Sequence, residues 1–397
     1  VNPFKPVKIM KKLCITLIVT AFLITSCSHE KEKVSEQPGV SIERYGTADF
    51  MINLDSYTSL FQRSIRYLDQ GPDEEYLYFL NQNNNSVYRY HLGDSNYTHR
   101  IKFDIDGPLG VGTLDGFDVH GPDSLFLLAR YNYILSMVTN PLDSNRQIQK
   151  YRLLDVNAEV DMTPYAFTEA PMLLDNGILN ILAVPFFYLS TKSYYEAGTN
   201  LIRLNLNDSS MSKGNLYSDV YKKRFSSFFS NASFAMNNQR QFVVSLPADH
   251  DLYLYDSDFR LIRKSTSRST IVPDIKEFKG DFNSSEEETM HRYQNPSYNS
   301  ILYDSYRNVY YRLAGLPNEK ALSSGDKARY ASRSFAIIVY DADLKIIGEL
   351  ELQPFYAEAM SFVGRSGLYL AQFIGGKNGI EEDRIKYSCF QLVQNEE

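Results

Sequence analysis

Leu252-Tyr-Leu-Tyr-Asp-Ser-Asp-Phe-Arg-Leu-Ile-Arg263 is matched, 85 positions further on, by Ile337-Ile-Val-Tyr-Asp-Ala-Asp-Leu-Lys-Ile-Ile-Gly348. Both read as an alternating strand, an Asp-x-Asp turn and a second strand. Weaker copies stand at Val87-Tyr-Arg-Tyr-His-Leu-Gly-Asp94 and Leu201-Ile-Arg-Leu-Asn-Leu-Asn-Asp208. Each copy follows an earlier apolar strand, at residues 76–80, 178–184, 241–246 and 309–313. The repeating unit is therefore a four-stranded meander. Second strands near residues 78, 126, 181, 243, 310 and 369 recur at spacings of 48 to 67 residues. Internal repetition of a four-stranded unit is the signature of a β-propeller.

Six units are counted, near residues 56–103, 110–155, 163–217, 226–268, 290–352 and 356–393, and the fold class is all-β. The last unit has three strands. The stretch Ile42 to Leu54 could supply its missing outer strand, closing the ring and removing an exposed edge. A seventh blade, or a pair of β-sandwiches, stays open at this point. Helical spacing is scarce, and short helices are expected only at 56–61 and 219–225. The surplus length falls in polar insertions at 264–291 and 317–333.

The N-terminus carries a different signal. Lys11 and Lys12 precede an apolar run from Leu13 to Ile24, then Thr25-Ser26-Cys27. The run is about a dozen residues, short of the roughly 20 that span a bilayer. The layout is that of a secretory signal of the lipoprotein type. Residues 1–26 are expected to be removed, Cys27 lipidated, 27–40 to act as a flexible tether, and 41–397 to form the propeller. The expected place is the cell envelope, lipid-anchored through Cys27 to a membrane, most simply the outer membrane, on its periplasmic face or its exterior. Losing Lys5, Lys8, Lys11 and Lys12 takes the net charge from −7 to −11. No long basic run exists, so nucleic acid is not expected as a partner. Of three cysteines, Cys14 leaves with the signal and Cys27 takes lipid; Cys389 alone remains and reads as a small buried strand residue.

A lipoprotein signal, a tether and some 350 residues of Tyr/Asn-rich repeats resemble the Bacteroidetes lipoproteins grouped as domain of unknown function 4221. The features that carry the resemblance are Cys27, Tyr76-Leu-Tyr-Phe-Leu-Asn81 with Val87-Tyr-Arg-Tyr90, and the Tyr-Asp-x-Asp turns at Tyr255 and Tyr340. The resemblance implies an envelope lipoprotein with a six-bladed propeller and carries over no catalytic residue.

Chemistry-bearing motifs are sparse. There is no phosphate-binding loop, and Gly107 to Gly116 reads as an inter-blade connection. The histidines of the body, His91, His99, His120, His250 and His291, form no metal-ligand spacing, although His120 and His291 lie near inner strands. Asp104/Asp106 and Asp115/Asp118 could offer oxygens to calcium, but no twelve-residue loop ending in Glu is present. Asp256/Asp258 and Asp341/Asp343 fit turn stabilisation better. No cofactor or metal is therefore expected, calcium being the one candidate. Gly364-Arg-Ser-Gly367 reads as a tight turn, not a nucleophile elbow. The default site is the axial mouth, with Arg63, Arg66, Asp115, Tyr293, Asn295, Tyr298 and Glu358 as candidate ligand-binding residues. Two functions follow: a non-catalytic module binding a peptide, glycan or protein, or a metal-dependent hydrolase or lyase using axial carboxylates.

Overall fold

The computed structural model describes residues 40–154, 162–186, 193–196, 198–265, 268–318, 333–354, 356–372, 375–376, 379–380 and 383–394. The expected signal, Cys27 and nearly all of the tether lie outside them, as does most of the insertion at 317–333. Six antiparallel sheets of four or five strands follow one another along the chain, with a small two-stranded one at Gly375–Gly376 and Gly379–Ile380. Blade 1 comprises Ile65–Asp69, Glu75–Asn81, Ser86–His91 and Tyr97–Lys102, and blade 2 Gly116–Val119, Ser124–Ala129, Ile134–Thr139 and Gln147–Arg152. In blade 3 the inner strand is split into Met162–Pro164 and Leu173–Asp175, followed by Ile178–Pro185, Leu201–Asn205 and Met211–Gly214. Blade 4 runs Ser233–Met236, Phe242–Ser245, Leu252–Tyr255 and Leu261–Lys264; blade 5 runs Ser297–Asp304, Val309–Gly315, Phe335–Tyr340 and Ile346–Leu352. Blade 6 takes Tyr356–Gly364, Gly367–Gln372 and Arg384–Gln394 from the C-terminal end. Its outer strand is N-terminal: Val40–Arg44 and Phe50–Asn53 both pair antiparallel with Arg384–Gln394. The ring is a six-bladed propeller closed by the two ends of the chain.

The period-2 pattern explains why the blades stack. Successive residues of one strand face opposite neighbours, so strands buried on both sides read as continuous apolar runs. In blade 2, Leu125 and Leu127 pack toward blade 1, whereas Phe126 and Leu128 pack toward blade 3. Six apolar clusters result, one at each blade interface around the ring. With no tryptophan, Phe and Tyr fill the wedges. Phe79 stacks on Tyr88 at 5.2 Å within the interface between blades 6 and 1.

The Asp-x-Asp turns do the local work expected of them. Asp256 Oδ1 accepts from the backbone N–H of Asp258 and Arg260, and Asp341 Oδ1 from those of Asp343 and Lys345. Each bond satisfies a backbone donor that the turn would otherwise expose, so these carboxylates are turn elements. Helix content differs from expectation. Asp219–Lys222 is a single 3-10 turn, residues 56–61 are not helical, and the one helix longer than a turn among the described residues is Ser285–Gln294. It begins in the 264–291 insertion and runs three residues past it, capped by Ser284, with Glu286, Glu287 and Glu288 in its first turn. Three adjacent acids suggest a solvated loop by composition, but at a helix N-terminus they complement the dipole. No helix of the described residues is long and apolar enough to cross a membrane.

Alternating strand direction sorts the connections onto two faces. Connections within blades at 70–74, 120–123, 176–177, 237–241, 305–308 and 365–366 share one face, and all are tight turns. The opposite face carries the inter-blade connections 54–64, 103–115, 215–232 and 265–296. We term these the turn face and the loop face.

One device closes the axis. Between the two halves of blade 3's inner strand, residues 165–172 lie opposite only Ile181 and Leu182. This bulge crosses to blade 1, a non-adjacent blade. Ser64 Oγ donates to the Ala166 carbonyl at 2.7 Å, the Thr168 N–H to the Arg63 carbonyl at 2.9 Å, and the Ile65 N–H to Thr168 Oγ1 at 3.1 Å. It also touches blade 4, where Ser233 Oγ donates to the Glu169 carbonyl. On blade 2 it lies against Gly116, where a Cβ would overlap the Ala166 carbonyl oxygen and sit 2.8 Å from its Cβ. Gly116→Ala is therefore expected to lower stability by about 1–3 kcal/mol, since backbone rather than a flexible side chain must move. Urea unfolding would check this; an unchanged midpoint would contradict the packing.

Candidate functional site

Bulges on three inner strands aim polar side chains at the axis, a common use of this device near functional sites. The blade 3 bulge presents Glu169. Blade 5 has a one-residue bulge at Asn299, and blade 6 a bulge over residues 358–360, beginning with Glu358. Asn299 Nδ2 donates to Glu358 Oε1 across the blade 5–6 boundary. Glu169 Oε2 and Glu358 Oε2 are both buried without a hydrogen-bond partner among the described residues.

The electrostatics follow from that enclosure. Burial pushes the Glu169 carboxyl up to about 7; the nearby Glu358 charge adds to this, while Arg63 and Arg66 oppose it. Burial also raises Glu358, against the pull of Arg333, of the Asn299 hydrogen bond and of Arg292. Arg333 is itself pushed down to about 10 by burial. It is held by the carbonyls of Leu316, Asn295 and Gly315 at 2.6–2.8 Å.

Glu169 offers a pH test. Between pH 4.5 and about 7 the folded chain keeps a proton on Glu169 that an unfolded chain has released. Its contribution to stability therefore falls as pH rises through that window, and the full cost stands above it. Glu169→Gln is expected to match the parent near pH 4 and exceed it above pH 7, by on the order of 2–3 kcal/mol. Urea midpoints at pH 4, 5.5 and 8 would show the divergence; a pH-independent difference would contradict it.

The arginines at the mouth differ sharply. Arg66 is buried and ion-paired: Nε lies 2.8 Å from Asp118 Oδ2 without hydrogen-bond geometry, Nη1 donates to the Ile65 carbonyl and Nη2 to the Phe167 carbonyl. Asp118 also accepts from the N–H groups of Val119 and Met172. Arg63 is exposed, with its guanidinium 4.0 Å from the centroid of Phe167. Arg130 approaches the same ring at 5.7 Å and stacks on Tyr131 at 4.5 Å. Asp115 Oδ1 is 3.7 Å from Arg130 Nε, and burial raises the Asp115 carboxyl. Asp115 and Asp118 thus serve two different arginines and do not converge as calcium ligands. No cluster of three or more His, Cys, Asp or Glu side chains able to hold a metal occurs among the described residues.

Of the residues read as mouth ligands, Arg63, Arg66, Asp115 and Glu358 lie around the axial cluster. Tyr298 does not. It is fully buried between blades 4 and 5, its ring under the Arg312 guanidinium at 3.5 Å and its hydroxyl 2.8 Å from His250 Nδ1. Asn295 and Tyr293 are buried too, at the C-terminal end of the helix. Asn295 accepts from the Lys276 N–H and donates to the His291 carbonyl. The bulges explain the difference: alternation places Tyr298 at an interface, and the extra residue turns Asn299 to the axis. His291 bridges Ser226 Oγ and the Lys276 carbonyl, and His120 holds the Met172 carbonyl, so both serve packing. Cys389 is buried in blade 6, its thiol pushed up to about 11 by burial. Sequence reasoning missed Glu169, Phe167, Arg130 and Asn299. The available signal was Pro164 and Pro171, which interrupt an otherwise strand-like stretch.

Comparison with known proteins fits this architecture. Residues 41–351 match the domain of unknown function DUF4221. The chain belongs to the DUF4221 family. A crystal structure of a DUF4221 member from Bacteroides vulgatus aligns with TM-score 0.76 at 20% identity, covering 89% of this chain and 99% of that one. A Bacteroides fragilis protein assigned as an exported one aligns with TM-score 0.54 at 10% identity, covering 89% and 97%. Among curated protein sequences, none matches the chain. At these identities the likeness establishes the propeller that DUF4221 members share, and the chemistry of the mouth must be argued from its own residues.

Proposed function

We propose that this DUF4221 propeller is an exported, lipid-anchored envelope protein that binds a polar partner, a glycan or peptide, at its loop face without transforming it. The observation that carries the binding reading is the distribution of exposed apolar side chains. Tyr57, Phe61, Leu109, Tyr131, Phe186 and Phe228 all stand at the loop face, which also carries Arg63 and Arg130. The turn face exposes only Leu142 and Tyr306 among described large apolar residues; Ile105 also stands at the loop face, Tyr97, Leu261 and Ile262 lie on outer strands, and Tyr45 and Val393 lie on the outer part of blade 6. Exposed aromatic groups gathered on one face of a propeller are what a binding surface uses. The arginines around Glu169 and Glu358 favour binding over metal-dependent chemistry, because they occupy the electrostatic place that a divalent cation would take.

Export and anchoring rest on the Lys11 to Cys27 pattern, with which the naming of the Bacteroides fragilis structural neighbour as an exported protein agrees. Cys27→Ser is expected to abolish incorporation of labelled palmitate and release the protein from membranes. For binding, thermal unfolding of residues 34–397 against a panel of glycans and peptides is the direct test, since a ligand of the native state raises the midpoint by mass action. A rise with calcium, reversed by EDTA, would instead favour the hydrolase or lyase reading.

A further inference from the structure

We propose that Arg63 and Arg130, converging on Phe167 at the axial mouth, form a receptor for the carboxylate group of a small ligand. This deepens the binding reading above by naming the group recognised. The argument begins with Arg66, which shows what a structural arginine looks like here: buried, ion-paired and bonded to two carbonyls. Arg63, three residues earlier, has none of this. It is exposed and makes no side-chain hydrogen bond or ion pair with any described residue, yet its guanidinium is held 4.0 Å above a buried ring. Stacking fixes the plane of the fork and leaves its N–H edge free.

The second guanidinium sharpens the case. Arg130 comes to the same ring; its Nη2 donates to the Tyr131 hydroxyl, and its Nε is buried without a hydrogen-bond partner. Two like charges gathered on one ring repel unless an anion lies between them. Asp115 supplies one carboxylate to the pair, at 3.7 Å from Arg130 Nε, and its own Oδ2 stays unpartnered. Burial keeps Glu169, the other acid that Arg63 acts on, protonated below about pH 7, so there one carboxylate faces two guanidinium groups and a positive charge stays uncompensated. Planar guanidinium forks match carboxylates in bidentate geometry, and charge-assisted bonds of this type are stronger than neutral ones. Beside them, Tyr131 and Phe61 are exposed and could cover the apolar part of the same ligand.

The carboxylate could belong to a uronic acid or to a peptide chain end, and the test separates these. Residues 34–397 would be titrated, by ligand-observed NMR at millimolar concentration, with galacturonate, galactose, acetyl-alanyl-alanine and its amide. Binding of galacturonate but not galactose, or of the acid peptide but not its amide, is expected and tells the source. Arg63→Gln should weaken that binding at least tenfold while lowering the unfolding midpoint by no more than the loss of one exposed cation–π contact, since the side chain makes no hydrogen bond or ion pair with a described residue; Arg63→Lys should restore binding in part. Indifference to the carboxylate in both pairs, or binding unaltered by Arg63→Gln, would overturn the proposal. Binding of galactose and the amide as strongly as the acids would do so while leaving the loop-face reading intact.

Discussion

A chain shortened to begin at Asp55 is expected to lose the propeller as a cooperative unit. The deletion removes Val40–Arg44 and Phe50–Asn53, whose ladder with Arg384–Gln394 completes blade 6. Ile42 and Ile52 leave with them, 3% and 0% exposed, from the interfaces of blade 6 with blades 5 and 1. Two buried isoleucines alone contribute about 3–6 kcal/mol. The ladder and the buried strand edge add to this, so the loss matches much of a typical domain's margin. Insoluble protein, or an unfolding midpoint lower by more than 15 °C, is the expected result. Removal of residues 1–33 should leave the midpoint unaltered. A soluble, cooperatively unfolding product from Asp55 would refute closure by the chain ends.

Arg312 carries the second large effect. It is fully buried in blade 5 and has no ion-pair partner among the described residues. Its guanidinium instead ties down the connection between the second and third strands of blade 4. Nε donates to Ser245 Oγ at 2.8 Å, Nη1 to the His250 carbonyl at 2.6 Å and Nη2 to the Asp249 carbonyl at 2.7 Å, over the face of Tyr298. Arg312→Met keeps the volume but leaves these acceptors buried without donors. At about 1–3 kcal/mol per orphaned group, a loss of on the order of 4 kcal/mol is expected. Arg312→Lys should recover only part, because one ammonium cannot reach acceptors spread along a planar fork. Urea unfolding of both variants decides it; a loss below 1 kcal/mol for Arg312→Met would contradict the clamp.

The blades were legible because propeller strands obey short-range rules. The turn at Asp341 is set by its own carboxylate, and the strand before it by alternation. Closure by Ile42 to Leu54 was legible because a three-stranded last unit leaves an edge that needs a partner. The axial cluster was not legible in the same way. Glu169 reaches the axis through an inserted segment bonded to a blade two places away, and Asn299 through a one-residue slip in register. Neither leaves a motif, since both depend on where distant strands stand. Arg63 and Arg66 look alike in sequence, yet Arg66 is buried and ion-paired to Asp118 whereas Arg63 is exposed at the mouth over Phe167.

The central claim is that ligand meets the loop face at the axis. Hydrogen–deuterium exchange, with and without the panel member that raises the unfolding midpoint most, tests it directly. Protection is expected in residues 54–64, 130–133 and 165–170, which carry Arg63, Arg130 and Phe167. Protection centred on the turns at 70–74, 305–308 and 365–366, with the loop face unaltered, would contradict the account.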